Sequence, residues 1–322
     1  MDALAGLLSG PRARGAFLLR SVLTPPWSIR IEDRAPLTLL IPISGTAWVV
    51  PDPSPSPDAA PGPVPPPAPG LPVLLRPGDV AVTRGPAPYT VADSPDTPPS
   101  VVIHPDQTST TLDGEELCAE RDQGVRTWGE TPDGPTVLVS GTYQLRGEVS
   151  RSLLDALPPL LSLSLDSPLT TLLGEEVGRD RPGQDAVLDR LLDLLLISTL
   201  RAWFDRPDSD APPWYRAHTD PVVGQALRLL HSDLARPWTV AGLASATGVS
   251  RAALARRFTD LVGESPMAYL TTRRLALAAD LLHDPATTLA TVARQVGYST
   301  PFALSAAFKR VHGVSPTAHR TT

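Results

Sequence analysis

The residues best suited to chemistry are arginines set on a short apolar scaffold. In SRAALARRF, residues 250–258, Leu254 and Phe258 lie four apart, which puts both on one face of a helix. Arg251, Ala252, Ala255 and Arg256 are then left on the free side. A guanidinium is a rigid fork of donors that suits a guanine edge or a phosphate, and an alanine methyl packs on a thymine methyl. Arg257 falls nearer the buried flank, where a phosphate is its expected partner. Ser250 precedes the run and can cap it by accepting a free first-turn amide. A solvated charge is the plain account of any single arginine, so the weight must come from the surrounding pattern.

That pattern occurs twice. TVAGLASATGVS at 239–250 aligns with TLATVARQVGYS at 288–299, a shift of 49. GESP at 263–266 answers GVSP at 313–316, a shift of 50, which predicts one extra residue inside the second copy's longer helix or in the turn after it. Thr239 and Thr288 are expected to cap a short helix, and Leu243 with Ala244, or Val292 with Ala293, to bury it. Gly248 and Gly297 fall where a tight turn needs a positive φ, with Val249 and Tyr298 in the corner. Ser299 is the expected second cap, and Leu304 with Phe308 holds the second long helix down. Short helix, glycine turn and longer helix make a helix-turn-helix, whose second helix fits a major groove. The run 267–282 reads as the helix between the copies.

The second copy offers fewer donors. Its free positions are Thr300, Pro301, Phe302, Ser305 and Ala306, while Lys309, Arg310 and Arg320 suit the DNA backbone. Helix 250–262 is therefore expected to read bases, with helix 299–312 adding phosphate, shape and apolar contacts.

Charge agrees with a polyanion partner once the chain is divided. The net charge is −6, yet residues 218–322 hold 11 Arg+Lys against 6 Asp+Glu, for +5, and residues 1–217 carry −11. Cys118 is the single cysteine, which excludes an intramolecular disulfide and fits a reducing compartment. The N-terminus lacks the basic opening of a signal peptide. The strongest candidate membrane span, 186–204, carries Asp189, Arg190, Asp193 and Arg201, so a cytoplasmic location without membrane partners is expected.

Upstream, the elements change character. WSIRI, LTLLIPI, TAWVV, VLL, DVAVT, YTV, SVVI and TVLVS, within 27–145, read as short strands and predict a sandwich or small barrel. Between them, 51–70 is dense in proline and reads as an exposed insertion, with recognition by a proline-binding module as the alternative. After Gly147, SRSLLDALPPLLSL, SPLTTLLGEEVG and QDAVLDRLLDLLLISTLRAWF read as helical. The last is apolar around so much of its circumference that it must be covered on two sides, by its own domain or by a second copy. DRPDSDAPP then leads to the basic tail.

The tail, PWTVAGLASATGVSRAALARRFTDLVGESPMAYLTTRRLALAADLL followed by LATVARQVGYSTPFALSAAFKRVHGVSPTAHR, resembles the AraC/XylS family of bacterial transcription regulators over about a third of the chain. RARGAF, PPWSIRI, RPGDVAVTRG and RPGQDAVLDRLLDLLLISTLRAW resemble the cupin-type sensor of one branch of that family. The resemblance implies a mixed multi-domain chain: a cupin-like β-barrel over 1–146 with its insertion at 51–70, a helical linker and dimerisation region over 147–217, and an all-α domain with two helix-turn-helix units over 218–322. It also implies two recognition helices in consecutive major grooves, activation of transcription, contact with RNA polymerase and a barrel cavity that can bind a ligand or metal. The broad apolar face of the 184–204 helix adds a homodimer as an expectation, and the small polar replacements for histidine allow either a filled cavity or a pocket for a small organic effector. Two departures qualify it. Where cupins of this branch often present histidines, this chain has Thr38 and Tyr89, weak candidates for ligand contact, and its only histidine before the tail is His104. Ala306 stands where the family commonly has a basic residue, in keeping with a supporting role for the second helix.

An enzyme would need a ligand set or a base–nucleophile cluster, and the front supplies neither; Glu32, Asp33 and Tyr89 make no convincing site. No metal or cofactor is expected. The remaining alternative is a repressor or architectural DNA-binding protein whose barrel only dimerises.

Overall fold

The computed structural model describes residues 17–52, 70–143, 151, 154–165, 167–207, 209, 211–284 and 286–320. The chain divides into two compact units, one built from 12–145 with 157–206 and the other containing 207–322.

Short β-branched and leucine-rich runs build the N-terminal unit as two six-stranded sheets. The strands are β1 (Phe17–Leu23), β2 (Ser28–Ile31), β3 (Leu37–Ser44), β4 (Ala47–Pro51), β5 (Val73–Leu75), β6 (Asp79–Arg84), β7 (Tyr89–Ala92), β8 (Val101–Ile103), β9 (Ser109–Thr111), β10 (Thr127–Gly129), β11 (Thr136–Tyr143) and β12 (Leu160–Ser164). One sheet runs β10-β1-β11-β3-β6-β12 and the other β5-β4-β7-β2-β8-β9. Leu23, Leu40, Ala81 and Leu138 of the first pack with Ile29, Val49, Val91 and Val101 of the second, so the core lies between the sheets. The eight expected strands are all present. The proline-rich insertion lies outside the described residues apart from its ends, and the strands flanking it, β4 and β5, pair antiparallel.

Two expectations need correction. Leu160–Ser164, read as helical, is an edge strand paired antiparallel with β6, Leu160 opposite Thr83 and Ser164 opposite Asp79. Phe17–Leu23, upstream of the expected strands, sits between β10 and β11.

Helices α1 (Pro168–Glu176) and α2 (Gln184–Phe204) close this unit. The central strand β3 is buried on both faces from Leu37 to Pro42, and α1 lies against it, with Gly174 close to the Ile43 side chain. On the neighbouring strand, a Cβ at Gly141 would come within 2.7 Å of the Leu192 Cδ2, so α2 approaches the sheet because that position is glycine. Leu188, Leu191, Leu192, Leu195, Leu196, Leu200 and Phe204 of α2 are all buried. The wide apolar circumference is thus covered mainly within the helix's own unit, leaving Val187 and Leu194, seven apart, at 45% and 48% exposure.

The C-terminal unit is helical: α3 (Pro213–Arg216), α4 (Val223–Ser232), α5 (Val240–Thr247), α6 (Arg251–Val262), α7 (Pro266–Leu282), α8 (Leu289–Gln295), α9 (Pro301–His312) and α10 (Pro316–Arg320). Among the described residues no helix is long and apolar enough to cross a membrane.

Candidate functional site

Local chemistry sets the frame of each repeated segment. Thr239 Oγ1 accepts from the Gly242 amide at 3.0 Å and Thr288 Oγ1 from the Thr291 amide at 3.2 Å, capping α5 and α8. Gly248 (φ 71°) and Gly297 (φ 79°) turn the chain in the left-handed region. Ser250 Oγ accepts from the Ala253 amide at 3.2 Å and opens α6. The cap of α9, however, is Thr300, accepting from Ala303 at 3.1 Å, and Ser299 stands one residue outside. The extra residue of the second copy therefore lies in the turn before α9, not inside that helix or after it.

Leu254, Phe258 and Val262 bury one side of α6, and Leu304, Ala307 and Phe308 bury one side of α9. On α6 this leaves Arg251, Ala252 and Arg256 exposed and Ala255 partly so. On α9, Phe302, Ala306, Lys309 and Arg310 are exposed, with Pro301 and Ser305 partly so, and Phe302 reaches 88% exposure. Arg320 is tied down, its Nη2 donating to the Thr287 carbonyl at 2.5 Å.

Arg257 has a protein partner that the sequence did not disclose. Its Nε and Nη2 donate to Asp220 Oδ2 at 2.9 and 2.6 Å. The other oxygen of Asp220 accepts from the Val222 and Val223 amides at 3.0 and 2.9 Å, so one carboxylate holds the start of α4 and the flank of α6. Partial burial pushes this carboxyl up, but the bonds from Val223, Arg257 and Val222 leave it below its ordinary value.

A second contact fixes the two segments to one another. From α7, Arg274 Nε donates to the Leu234 carbonyl at 2.7 Å and Nη2 to the Arg236 carbonyl at 2.8 Å. Both carbonyls belong to the loop before α5. A Cβ at Gly297 would lie 2.8 Å from the Ala235 Cα and 2.7 Å from Arg274 Nη2, so the turn of the second segment seats against the loop that opens the first.

The N-terminal unit holds a cavity of about 410 Å³ between its sheets. Thr38 and Tyr89 both line it. Tyr89, from β7, shares hydrogen bonds with Thr38 and Thr83, a cross-strand pair on β3 and β6, and so links the two sheets. Burial, with Asp33 nearby, pushes its phenol well above the ordinary value. Asp33, Gln107, Cys118 and Arg126 also line the cavity, and neither strand patterning nor turn chemistry marked any of them for it. His104 is spent on Thr110, Nε2 to Oγ1 at 2.9 Å. Among the described residues no three His, Cys, Asp or Glu side chains converge as a metal set.

Comparison with known proteins bears on both units. The cupin family model matches residues 2–205 and the helix-turn-helix domain model residues 243–322. An AraC-like transcription regulator of Streptomyces lividans is 34% identical over 256 residues, spanning 77% of this chain and 80% of its own. Its counterpart in Streptomyces antibioticus is 33% identical with the same coverage. The HTH-type transcriptional regulator AlkR of Acinetobacter baylyi is 36% identical over 177 residues, 52% of this chain and 58% of its own.

Proposed function

This chain belongs to the AraC/XylS-type helix-turn-helix transcription regulators that carry an N-terminal cupin domain, and from that premise we propose that it reads duplex DNA mainly through Arg251–Val262, with Pro301–His312 in support. The observation that carries the reading is the row Arg251, Ala252, Ala255 and Arg256, turned away from buried Leu254, Phe258 and Val262. It combines guanidinium donors for guanine with methyl groups for thymine. Arg257, paired to Asp220, acts as a positioning residue for α6.

The two capped segments serve as tandem helix-turn-helix units. In the second, Phe302, Pro301, Ser305 and Ala306 supply apolar and shape contacts, while Lys309 and Arg310 meet phosphates. The hydroxyls of Ser250 and Thr300 are engaged in capping, and Ser299 lies at the lip of its turn. The sheets of the N-terminal unit form a cupin barrel whose cavity receives a small organic effector, with Thr38 and Tyr89 in its wall. Val187 and Leu194 provide the strip on which a second copy packs. The outcome on DNA is activation, through contact with RNA polymerase.

Capture of genomic fragments by the purified full-length protein, at salt that suppresses backbone-only binding, tests the reading. The expected result is one enriched motif with two elements about one helical turn apart, roughly 10–10.5 base pairs. Bound fragments sharing no motif would overturn it.

A further inference from the structure

We propose that the cavity between the two sheets binds an uncharged, mostly apolar molecule by a carbonyl oxygen that accepts from Arg126 and Gln107. The proposal rests on reading the cavity as an effector site and names the class of effector.

Most of the wall is hydrocarbon: Leu19, Ile31, Leu40, Val91, Ile103 and Leu138 line it. Its volume of about 410 Å³ falls within the range of roughly 300–1,000 Å³ usual for small-molecule sites. Two lining residues are out of keeping with that wall. Arg126 Nη1 and Gln107 Nε2 are both buried and have no hydrogen-bond partner among the described residues. A buried donor left unpaired costs about 1–3 kcal/mol, so two in one wall call for an acceptor.

The backbone holds both residues in tight turns. Among the described residues only Arg34, Gln107 and Arg126 are non-glycine residues with positive φ, at 54°, 67° and 51°. The turns themselves require it: the Gln107 amide donates to the His104 carbonyl at 2.9 Å, and the Thr127 amide, just past Arg126, donates to the Gly124 carbonyl at 3.1 Å. Gln107 stands in the turn between β8 and β9, and Arg126 just before β10. Separate loops thus bring an amide donor and a guanidinium donor to one chamber.

Charge selects a neutral acceptor. The charge of Arg126 is already met by Asp185, which takes its Nη2 in an ion pair. The carboxyl groups of Asp33 and Asp122 stand in the same wall, so an incoming anion would meet two like charges. Burial pushes the Asp33 carboxyl up despite a bond from the Ala35 amide, the direction expected of a carboxyl held away from water. Tyr89 is occupied by Thr38 and Thr83 and does not compete for the acceptor. A carbonyl oxygen has two lone pairs and can take both donors while adding no charge.

Three near-isosteric probes distinguish the possibilities by calorimetry on the full-length protein: 4-butylacetophenone, 4-butylbenzoate and the hydrocarbon 1-butyl-4-isopropenylbenzene. Two hydrogen bonds at ordinary net strength predict that the ketone binds about tenfold or more tighter than either other probe. Gln107→Asn keeps a residue that tolerates positive φ but draws the amide back by one methylene. It should erase most of the ketone's advantage over the hydrocarbon, the difference between the two probes being the quantity read. Tightest binding of the benzoate would overturn the neutral class yet leave the cavity as an effector site. Equal binding of all three, or an unchanged ketone preference in Gln107→Asn, would overturn the role of the donors. Binding of none would overturn both the class and the effector reading, while motif capture reports on DNA recognition separately.

Discussion

Asp220 shows how much one side chain holds in the C-terminal unit. It caps the start of α4 and anchors Arg257 on α6, so its loss removes a helix cap and frees a guanidinium together. Asp220→Ala should cost about 1–2 kcal/mol, as the loss of a cap does. Arg257→Ala, at a half-exposed pair, should cost under about 1 kcal/mol. Because the folded carboxyl lies below its ordinary value, its contribution is complete above that ordinary value, about 3.9, and fades as pH falls through the lower folded value. Urea unfolding in acid should therefore show a steeper loss in the wild type than in Asp220→Asn; parallel curves would remove the linkage. Arg256 is exposed and, in the proposed reading, serves recognition instead. Arg256→Ala should weaken the selected motif by about 1–3 kcal/mol and a scrambled duplex far less, measured by fluorescence anisotropy at one salt concentration. Equal losses on both duplexes would reassign it to a phosphate.

At the scale of elements, the two turn glycines answer different demands. Gly248 has a positive φ and open space around it, whereas Gly297 has a positive φ and the Ala235 backbone pressed against it. Gly248→Ala should cost about 1 kcal/mol for its backbone conformation alone. Gly297→Ala should cost clearly more, because loop, turn or Arg274 must shift. Thermal unfolding of the two variants checks the order, and equal costs would mean that the junction yields. The tail's helices were legible in the sequence because caps, turn glycines and four-residue spacings are local signals. Strands were harder, since pairing is long-range: Leu161-Ser162-Leu163-Ser164 alternates over only four residues inside a leucine-rich run, and its partner β6 lies about 80 residues upstream. Gln107 and Arg126 could not be found that way at all, because their significance lies in φ and in the chamber that two distant loops share.

For the whole molecule, the split of −11 and +5 sets the part that carries the helix-turn-helix domain apart from the rest, and in the proposed dimer α2 is the helix that meets its twin. With most of its leucines buried at home, α2 offers a partner only Val187, Leu194 and their surroundings. The full-length protein should sediment as a dimer at micromolar concentration and Leu194→Glu as a monomer that keeps its helix content by circular dichroism and loses only the concentration dependence of Tm. A monomeric wild type would exclude pairing through this face. The junction of Arg274, Ala235 and Gly297 makes the two copies non-interchangeable, since the later turn docks on the segment preceding the earlier one. Randomising 247–249 should return many working sequences, whereas randomising 296–298 should return almost none without glycine in the middle. Transplanting either half into another scaffold would carry half of a joint, so this tail is expected to evolve, and to be engineered, as a single indivisible module.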